Sequence, residues 1–585
     1  MSPARTPGPA TPSTGTLHGE VAFVAAGPGD EGLLTLRAVQ RLREADVVVL
    51  DEGRREALLR AYCREGVAVV DAGFGDDGQP LPGAARAALL VGAATGALDV
   101  AALSTPAAPA AAADGEADPF PAAPVPLALP EGAGTAARPL RVVRLLDGDP
   151  ALAPCLLQEV AALREAGVGV ELVPGVSPAF AVPTYAGVPL APEGVAGVHV
   201  VRPRGADVDW SRHVADDTTV VVLGLPDDVV LAAEGLLGAG RGGATPVAVT
   251  AEGTTVGQRT HVWALADVPE QLPKTDLDRP VTAVVGAVVD LRGTGSWFET
   301  KPLFGWRVLV PRTKEQAGSM VSRLEEFGAT ADVVPTISVE PPRTPQQIEK
   351  AVKGLVTGRY EWIGFTSVNA VRAIREKFQE FGLDARAFAG LKVAAVGGVT
   401  AAALREWGIE PDLVPTGEQS AQGLLEEWPP FDDVLDPINR VFLPRADIAT
   451  DTLVAGLQAG GWEVDDVTAY RTVRAAPPPA HVREAIKTGQ FDAVVFTSSS
   501  TVRNLVGIAG KPHTTTVVAC IGPATAKTAT EHGLRVDVLA QEPNVDSLVA
   551  ALAEYGASLR AAAVEAGDAP VRPSRRKGGS RRSSK

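Results

Sequence analysis

The sequence predicts an α/β fold along most of its length, and three observations carry that prediction. From Glu20 onward, apolar strand-like runs alternate with helix-like segments, the grammar of parallel βαβ units. Several of these strands run into turns of small residues, as in Gly27-Pro28-Gly29-Asp30 and Gly148-Asp149-Pro150. The second half repeats itself: RVLVPRT at 307–313 returns as RVFLPRA at 440–446, offset by 133. YEWIGFTSVNAVRAI (360–374) returns as FDAVVFTSSSTVRNL (491–505), and VAAVGGVTAAAL (393–404) as VACIGPATAKTA (518–529). Three matches in one order at nearly one spacing mark an internal duplication.

Taken in order, residues 1–16 are rich in Pro, Ser, Thr and Gly and are expected to be a disordered tail. VAFVAAGPGD then reads as a strand entering a turn, and LLTLRAVQRLREADVVVLDE as a helix followed by a strand. A parallel sheet is the first expectation. Residues 97–138 are Ala/Pro-rich and of low complexity, a flexible insertion. Strands resume at LRVVRLLDGDP, and others follow in TTVVVLGL, ATPVAVTAEGTT and RPVTAVVGAVVDL. A junction at 292–305 leads into the duplicated half. Beyond about Gly556 the chain is expected to be a disordered tail, 557–585, with a basic end.

Composition narrows the function. The chain has 585 residues, enough for about four domains. Its net charge of −16 makes it a poor general binder of nucleic acid or anionic membrane. Cys63, Cys155 and Cys520 are far apart, so neither a zinc site nor a disulfide framework is expected. A reducing cytoplasm fits that usage. The first residues lack the apolar core of a signal peptide, and no apolar run reaches membrane-spanning length.

Each repeated unit is an apolar strand ending in hydroxyl or glycine residues before a helix. In open parallel sheets ligands lie at those strand ends, where helix N-termini point. Thr366 and Ser367 close one strand, and Thr497, Ser498 and Ser499 close its partner. Thr400 and the Gly522–Thr525 turn follow the same logic. These groups suit hydrogen bonding to carboxylates; Ser and Thr also serve routinely as helix N-caps. Arg312 and Arg445, at equivalent places in the two repeats, are candidate counter-charges.

Residues 19–297 resemble the uroporphyrinogen-III C-methyltransferase family. The likeness rests on Gly27-Pro28-Gly29-Asp30 with LLTLRA, on Gly148-Asp149-Pro150, on PGVSPAFAVPTYAGVPL (174–190), and on TPVAVTAEGTTVGQRT (245–260). It implies a tetrapyrrole-methylase fold over 17–297 that uses S-adenosylmethionine, with Gly27, Pro28, Gly29, Asp30, Gly148 and Asp149 as cofactor-binding residues. Three departures predict a retained fold with weakened or absent methyl transfer. Asp147 stands where the family has glycine, ALAPCLLQE replaces an arginine-glycine segment, and Ala191-Pro192 replaces a Thr-His pair.

Residues 303–556 resemble uroporphyrinogen-III synthase across the whole domain, through VLVPRTKEQA, YEWIGFTSVNAV, VAAVGGVTAAAL, AYRTV, FTSSSTV and VACIGPATAKTA. That resemblance implies two α/β lobes with a cleft between them, one of about 305–338 with 474–556 and the other of about 340–472. It implies hydroxymethylbilane as substrate, cyclised with inversion of ring D and without a cofactor or metal. Tyr470 would be catalytic. Arg312, Thr366, Ser367, Thr400, Arg445, Thr497, Ser498, Ser499, Gly522 and Thr525 would bind substrate. Two other readings are open to the same sequence: a fully bifunctional enzyme that goes on to precorrin-2, and a two-lobed ligand sensor. The full set of synthase blocks argues against the sensor.

Overall fold

A computed structural model describes residues 19–51, 56–74, 81–97, 140–203, 207–449, 451–567 and 571–575. The expected N-terminal tail and the low-complexity insertion from residue 98 lie outside the described residues. Two compact units form, the first up to Trp306 with Phe327–Ala329, the second from the remainder. Among the described residues no helix is long and apolar enough to cross a membrane.

The first unit contains two sheets. β1 (Glu20–Ala25), β2 (Val47–Leu50), β3 (Ala68–Asp71), β4 (Arg141–Leu146) and β5 (Gly169–Val173) form the first. Its order is β3-β2-β4-β1-β5, with every pairing parallel. The strands are apolar nearly throughout because helices cover such a sheet on both faces. Val21, Phe23, Val47 and Leu90 fill one core, and Val24, Leu42, Val48 and Leu145 the other. The second sheet holds β6 (Gly197–Val201), β7 (Thr218–Gly224), β8 (Pro246–Ala251), β9 (Arg259–Ala264) and β10 (Val281–Val285).

Here the parallel expectation fails. Only β6 and β7 pair in parallel; β7-β10, β10-β8 and β8-β9 are antiparallel. The reason lies in the connections. Residues 252–258 join β8 to β9 with no helix between them. So short a link can only reverse the chain.

The second unit also has two five-stranded sheets. The first is β12 (Thr330–Val333), β11 (Arg307–Val310), β18 (Ala493–Phe496), β19 (Val517–Cys520) and β20 (Val538–Leu539), in that order. The other is β13 (Ile337–Glu340), β17 (Glu463–Arg474), β16 (Arg440–Ala446), β14 (Trp362–Phe365) and β15 (Lys392–Ala395). The duplication is visible in this order. β12-β11-β18-β19 superposes in sequence on β17-β16-β14-β15, although the two halves of each sheet are threaded in opposite chain order. Equivalent details recur: the Val393 amide donates to Asp412 Oδ2 at 2.7 Å, and the Val518 amide to Asp537 Oδ2 at 2.9 Å. β13 pairs antiparallel with the far end of β17, Ile337 opposite Arg474.

The tail expected from 557 is partly ordered. A helix capped by Asn544 runs Val545–Glu565 and buries Leu548, Val549 and Leu552. Past Gly556 it continues through SLRAAAVE, whose alanines carry high intrinsic helix propensity. Pro573 is buried, and the Ser574 amide donates to Asp492 Oδ1 at 2.9 Å. Residues 576–585 lie outside the described set.

Candidate functional site

In the second unit the strand ends are built as paired copies. Ser367 and Ser498 are N-caps with nearly identical backbone angles, φ/ψ −162°/157° and −165°/160°. Gly397 and Gly522 match as closely, −172°/171° and −175°/173°. Capping, the alternative weighed for these residues, is real. Ser367 Oγ accepts from the Ala370 amide at 3.2 Å, and Ser498 Oγ from the Thr501 amide at 3.3 Å.

A pocket of about 300 Å³ opens at the carboxyl ends of β11 and β18. Arg312, Thr497 and Ser498 line it, as the sequence predicts. Gln316, Thr336, Ser500, Thr501, Asn504 and Val545 line it too, and sequence reading missed them. Ser500 and Asn504 were findable, being one helical turn apart on the helix that Ser498 caps. Val545 arrives from the C-terminal helix, and nothing local announces it.

Arg312 is the only charged residue among those lining the pocket. Burial holds its guanidinium below the ordinary value. Its repeat partner Arg445 has a different fate and leaves the site. Arg445 is 5% exposed, and its Nε donates to Asp466 Oδ1 at 2.7 Å while Nη2 binds Oδ2 of the same carboxylate. Register explains the contrast. Arg440 lies opposite Glu463 and Arg307 opposite Thr330, so Val333 stands in the first repeat where Asp466 stands in the second. The repeat without the acid keeps an arginine facing the pocket.

Three further candidates turn inward. Ser499 Oγ donates to the Ala524 carbonyl at 3.1 Å and accepts from Thr528 Oγ1 at 2.9 Å, tying two helices together. Thr400 and Thr525 are 5% and 4% exposed at the third positions of their helices. Thr525→Ala is therefore expected to lower stability by about 1 kcal/mol, through the buried methyl it removes, and leave KM unchanged, in thermal unfolding and steady-state kinetics. A Cβ added at Gly522 meets nothing within 4 Å, so no packing constraint requires glycine there.

Thr366 and Ser367 follow β14 and Tyr470 lies on β17, all at the other sheet, and none of them lines the pocket. Tyr470 is 7% exposed, with its hydroxyl 2.9 Å from Ser367 Oγ. Burial pushes the Cys63 thiol up to about 11 and the Cys520 thiol up to about 12, so neither is a nucleophile near neutral pH.

In the first unit the two glycine turns meet at the carboxyl edge of β1 and β4. The Gly148 amide donates to the Gly27 carbonyl at 3.2 Å. Gly27 and Gly148 take φ of +73° and +77°, which glycine adopts without strain. A Cβ on Gly148 would strike the Pro178 ring at 2.9 Å, whereas one on Gly27 would have only Leu33 O within 4 Å, at 3.8 Å. The carboxylates of Asp30 and Asp149 are used internally. Asp30 accepts from the Gly32 amide at 2.8 Å and from Tyr185 Oη at 2.7 Å. Asp149 accepts from the amides of Ala151 and Gly175 at 2.8 and 2.9 Å. Both aspartates thus shape loops. Asp147 is exposed.

Beneath this edge is a buried charge cluster that sequence reading missed. Arg144 and Glu159 are both fully buried and paired at 3.1 Å. Arg144 Nη2 also binds Asp51 at 2.6 Å, and Arg86 binds Glu159 at 3.2 Å. Burial opposes the Arg144 charge, but the two carboxylates outweigh it and hold the guanidinium above its ordinary value.

Comparison with known proteins gives two family matches. Residues 20–105 and 131–269 match the tetrapyrrole (corrin/porphyrin) methylases, and residues 318–550 match uroporphyrinogen-III synthase HemD. The porphyrin biosynthesis protein HemD of Ruminiclostridium josui is 28% identical over 92% of this chain and 98% of its own length. The uroporphyrinogen-III C-methyltransferase of Bacillus subtilis is 27% identical over 60% of this chain, which spans 65% of that protein. A crystal structure of the Thermus thermophilus uroporphyrin-III C-methyltransferase, complexed with S-adenyl homocysteine, is 28% identical. It covers 46% of this chain and 93% of its own, with a TM-score of 0.33. This chain is a tetrapyrrole methylase domain followed by a uroporphyrinogen-III synthase domain, a protein of tetrapyrrole biosynthesis.

Proposed function

We propose that the second unit cyclises hydroxymethylbilane, a linear tetrapyrrole with eight carboxylates, to uroporphyrinogen III with ring D inverted. The observation that carries this reading is the pocket at β11 and β18, where one desolvated arginine sits among hydroxyl and amide groups. Such a site holds a carboxylate in a fixed orientation. The reaction asks for little more. The bond from the hydroxymethyl carbon to its oxygen breaks, the electron pair leaving with the oxygen. The terminal pyrrole then attacks through a spiro intermediate, and ring D emerges inverted. Positioning is the main catalytic demand. In buffer without S-adenosylmethionine, the full chain should consume hydroxymethylbilane faster than its spontaneous closure. Consumption at the uncatalysed rate would overturn the reading. A cytoplasmic location belongs to the same proposal.

For the first unit we propose a retained S-adenosylmethionine site with weak methyl transfer. The loosely packed space beside the buried Gly27, and the turns at Gly27 and Gly148 joined by a backbone hydrogen bond, support a ligand held by backbone groups. The bound group would supply an electrophilic methyl. Asp147 places a negative charge at the same edge, unfavourable for a polyanionic tetrapyrrole. Calorimetric titration with S-adenosyl homocysteine should show binding, while uroporphyrinogen III should gain methyl groups far below stoichiometry. Prompt dimethylation would refute the second part.

A further inference from the structure

We propose that Ser367 is a positioning residue for Tyr470, donating its hydroxyl hydrogen to the phenol oxygen so that the tyrosine's own proton is free for the leaving hydroxyl of the bilane. This rests on the synthase reading above.

The backbone aims Tyr470. Along β16 and β17, Arg445 lies opposite Thr468 but Ala446 lies opposite Tyr470, so Ala469 is an extra residue and the strand bulges. Bulges re-aim side chains, and they occur frequently beside active sites. This one is held from both sides: the Asp447 amide donates to the Tyr470 carbonyl at 3.1 Å, and Asp447 Oδ1 accepts from the Thr472 amide at 3.2 Å. The ring is packed in the core with Phe365, Val371 and Phe442.

The hydrogen count permits the bond to run from serine to tyrosine, the direction the proposal takes. A serine hydroxyl has one hydrogen to give and two lone pairs. Ser367 Oγ already accepts from the Ala370 amide, and Tyr470 Oη stands 2.9 Å away. Donation toward the phenol leaves the tyrosine proton unspent. In the other repeat the equivalent serine, Ser498, has the same backbone conformation but faces Ser500 Oγ at 2.9 Å. The two caps differ in what they serve.

The chemistry balances. As the carbon–oxygen bond breaks, the oxygen leaves with the bonding pair and takes the Tyr470 proton to become water. The azafulvenium cation is matched by a tyrosinate, whose charge the Ser367 hydroxyl stabilises. The proton released after ring closure returns to the tyrosine oxygen.

A double-mutant cycle in the full chain tests this. Glycine caps helices nearly as well as serine, so Ser367→Gly removes the hydroxyl and keeps the helix start. It should lower kcat about tenfold, the scale of one lost hydrogen bond, with KM little changed. Ser367→Thr should restore most of that loss. Added to Tyr470→Phe, Ser367→Gly should cost nothing further. In protein carrying 13C-labelled tyrosine, the Tyr470 ring signal, assigned by its loss in Tyr470→Phe, should move in Ser367→Gly. Additive losses, a rise in KM alone, or an unmoved signal would each overturn the proposal. Failure of the wild-type chain to turn over the bilane would instead sink the synthase reading, and this inference with it.

Discussion

Glu159→Ala is expected to destabilise the methylase unit by about 3–5 kcal/mol, because it strands the fully buried Arg144 beside a single remaining acid. For a unit of this size that is a drop of roughly 10 °C in its thermal transition. The effect belongs to the buried arginine left with too little counter-charge, Arg144 with Asp51 alone and Arg86 without Glu159, rather than to the pair itself. Replacing both partners, Arg144→Met with Glu159→Leu, should therefore recover most of the loss, since an apolar pair of similar volume is often neutral. Scanning calorimetry of the three proteins decides it. A double variant no more stable than the single one would show that the network, not charge compensation, holds this edge of the sheet.

Arg312→Ala is expected to raise KM for hydroxymethylbilane by about 10- to 100-fold, the loss of a charged hydrogen bond worth roughly 1.5–3 kcal/mol. Arg312→Lys should fall between, keeping the charge but not the fork. The second repeat provides the control. Arg445 is already bound in both directions by Asp466, so Arg445→Ala should act on stability and leave KM alone. Steady-state kinetics with thermal unfolding on the same samples separates the two. An unchanged KM in Arg312→Ala would remove the pocket from the substrate site.

The contrast between these arginines shows where the sequence was legible. The duplication, the strand–turn–helix units and the serine caps were readable because they are local patterns of apolar, small and hydroxyl residues. That one arginine stays available and its copy does not depends on a cross-strand neighbour, Val333 against Asp466, which appears only once register is known. Ser499, Thr400 and Thr525 stand apart from the pocket lining for a related reason. A residue within the first turn of a helix faces either the ligand or the sheet according to its angle, and composition does not state that angle. The mixed second sheet was hidden because an apolar run has no direction; the short β8–β9 link was the signal available. The buried Arg144–Glu159 pair ran against the ordinary exposure of charged residues.

The central claim is that this chain imposes the inverted ring order on hydroxymethylbilane, and the isomer of the product tests it most directly. Full-length protein, hydroxymethylbilane and no S-adenosylmethionine should yield, after oxidation and chromatography, the type III porphyrin well in excess of type I. A product mixture dominated by type I, the isomer of unguided closure, would contradict the account.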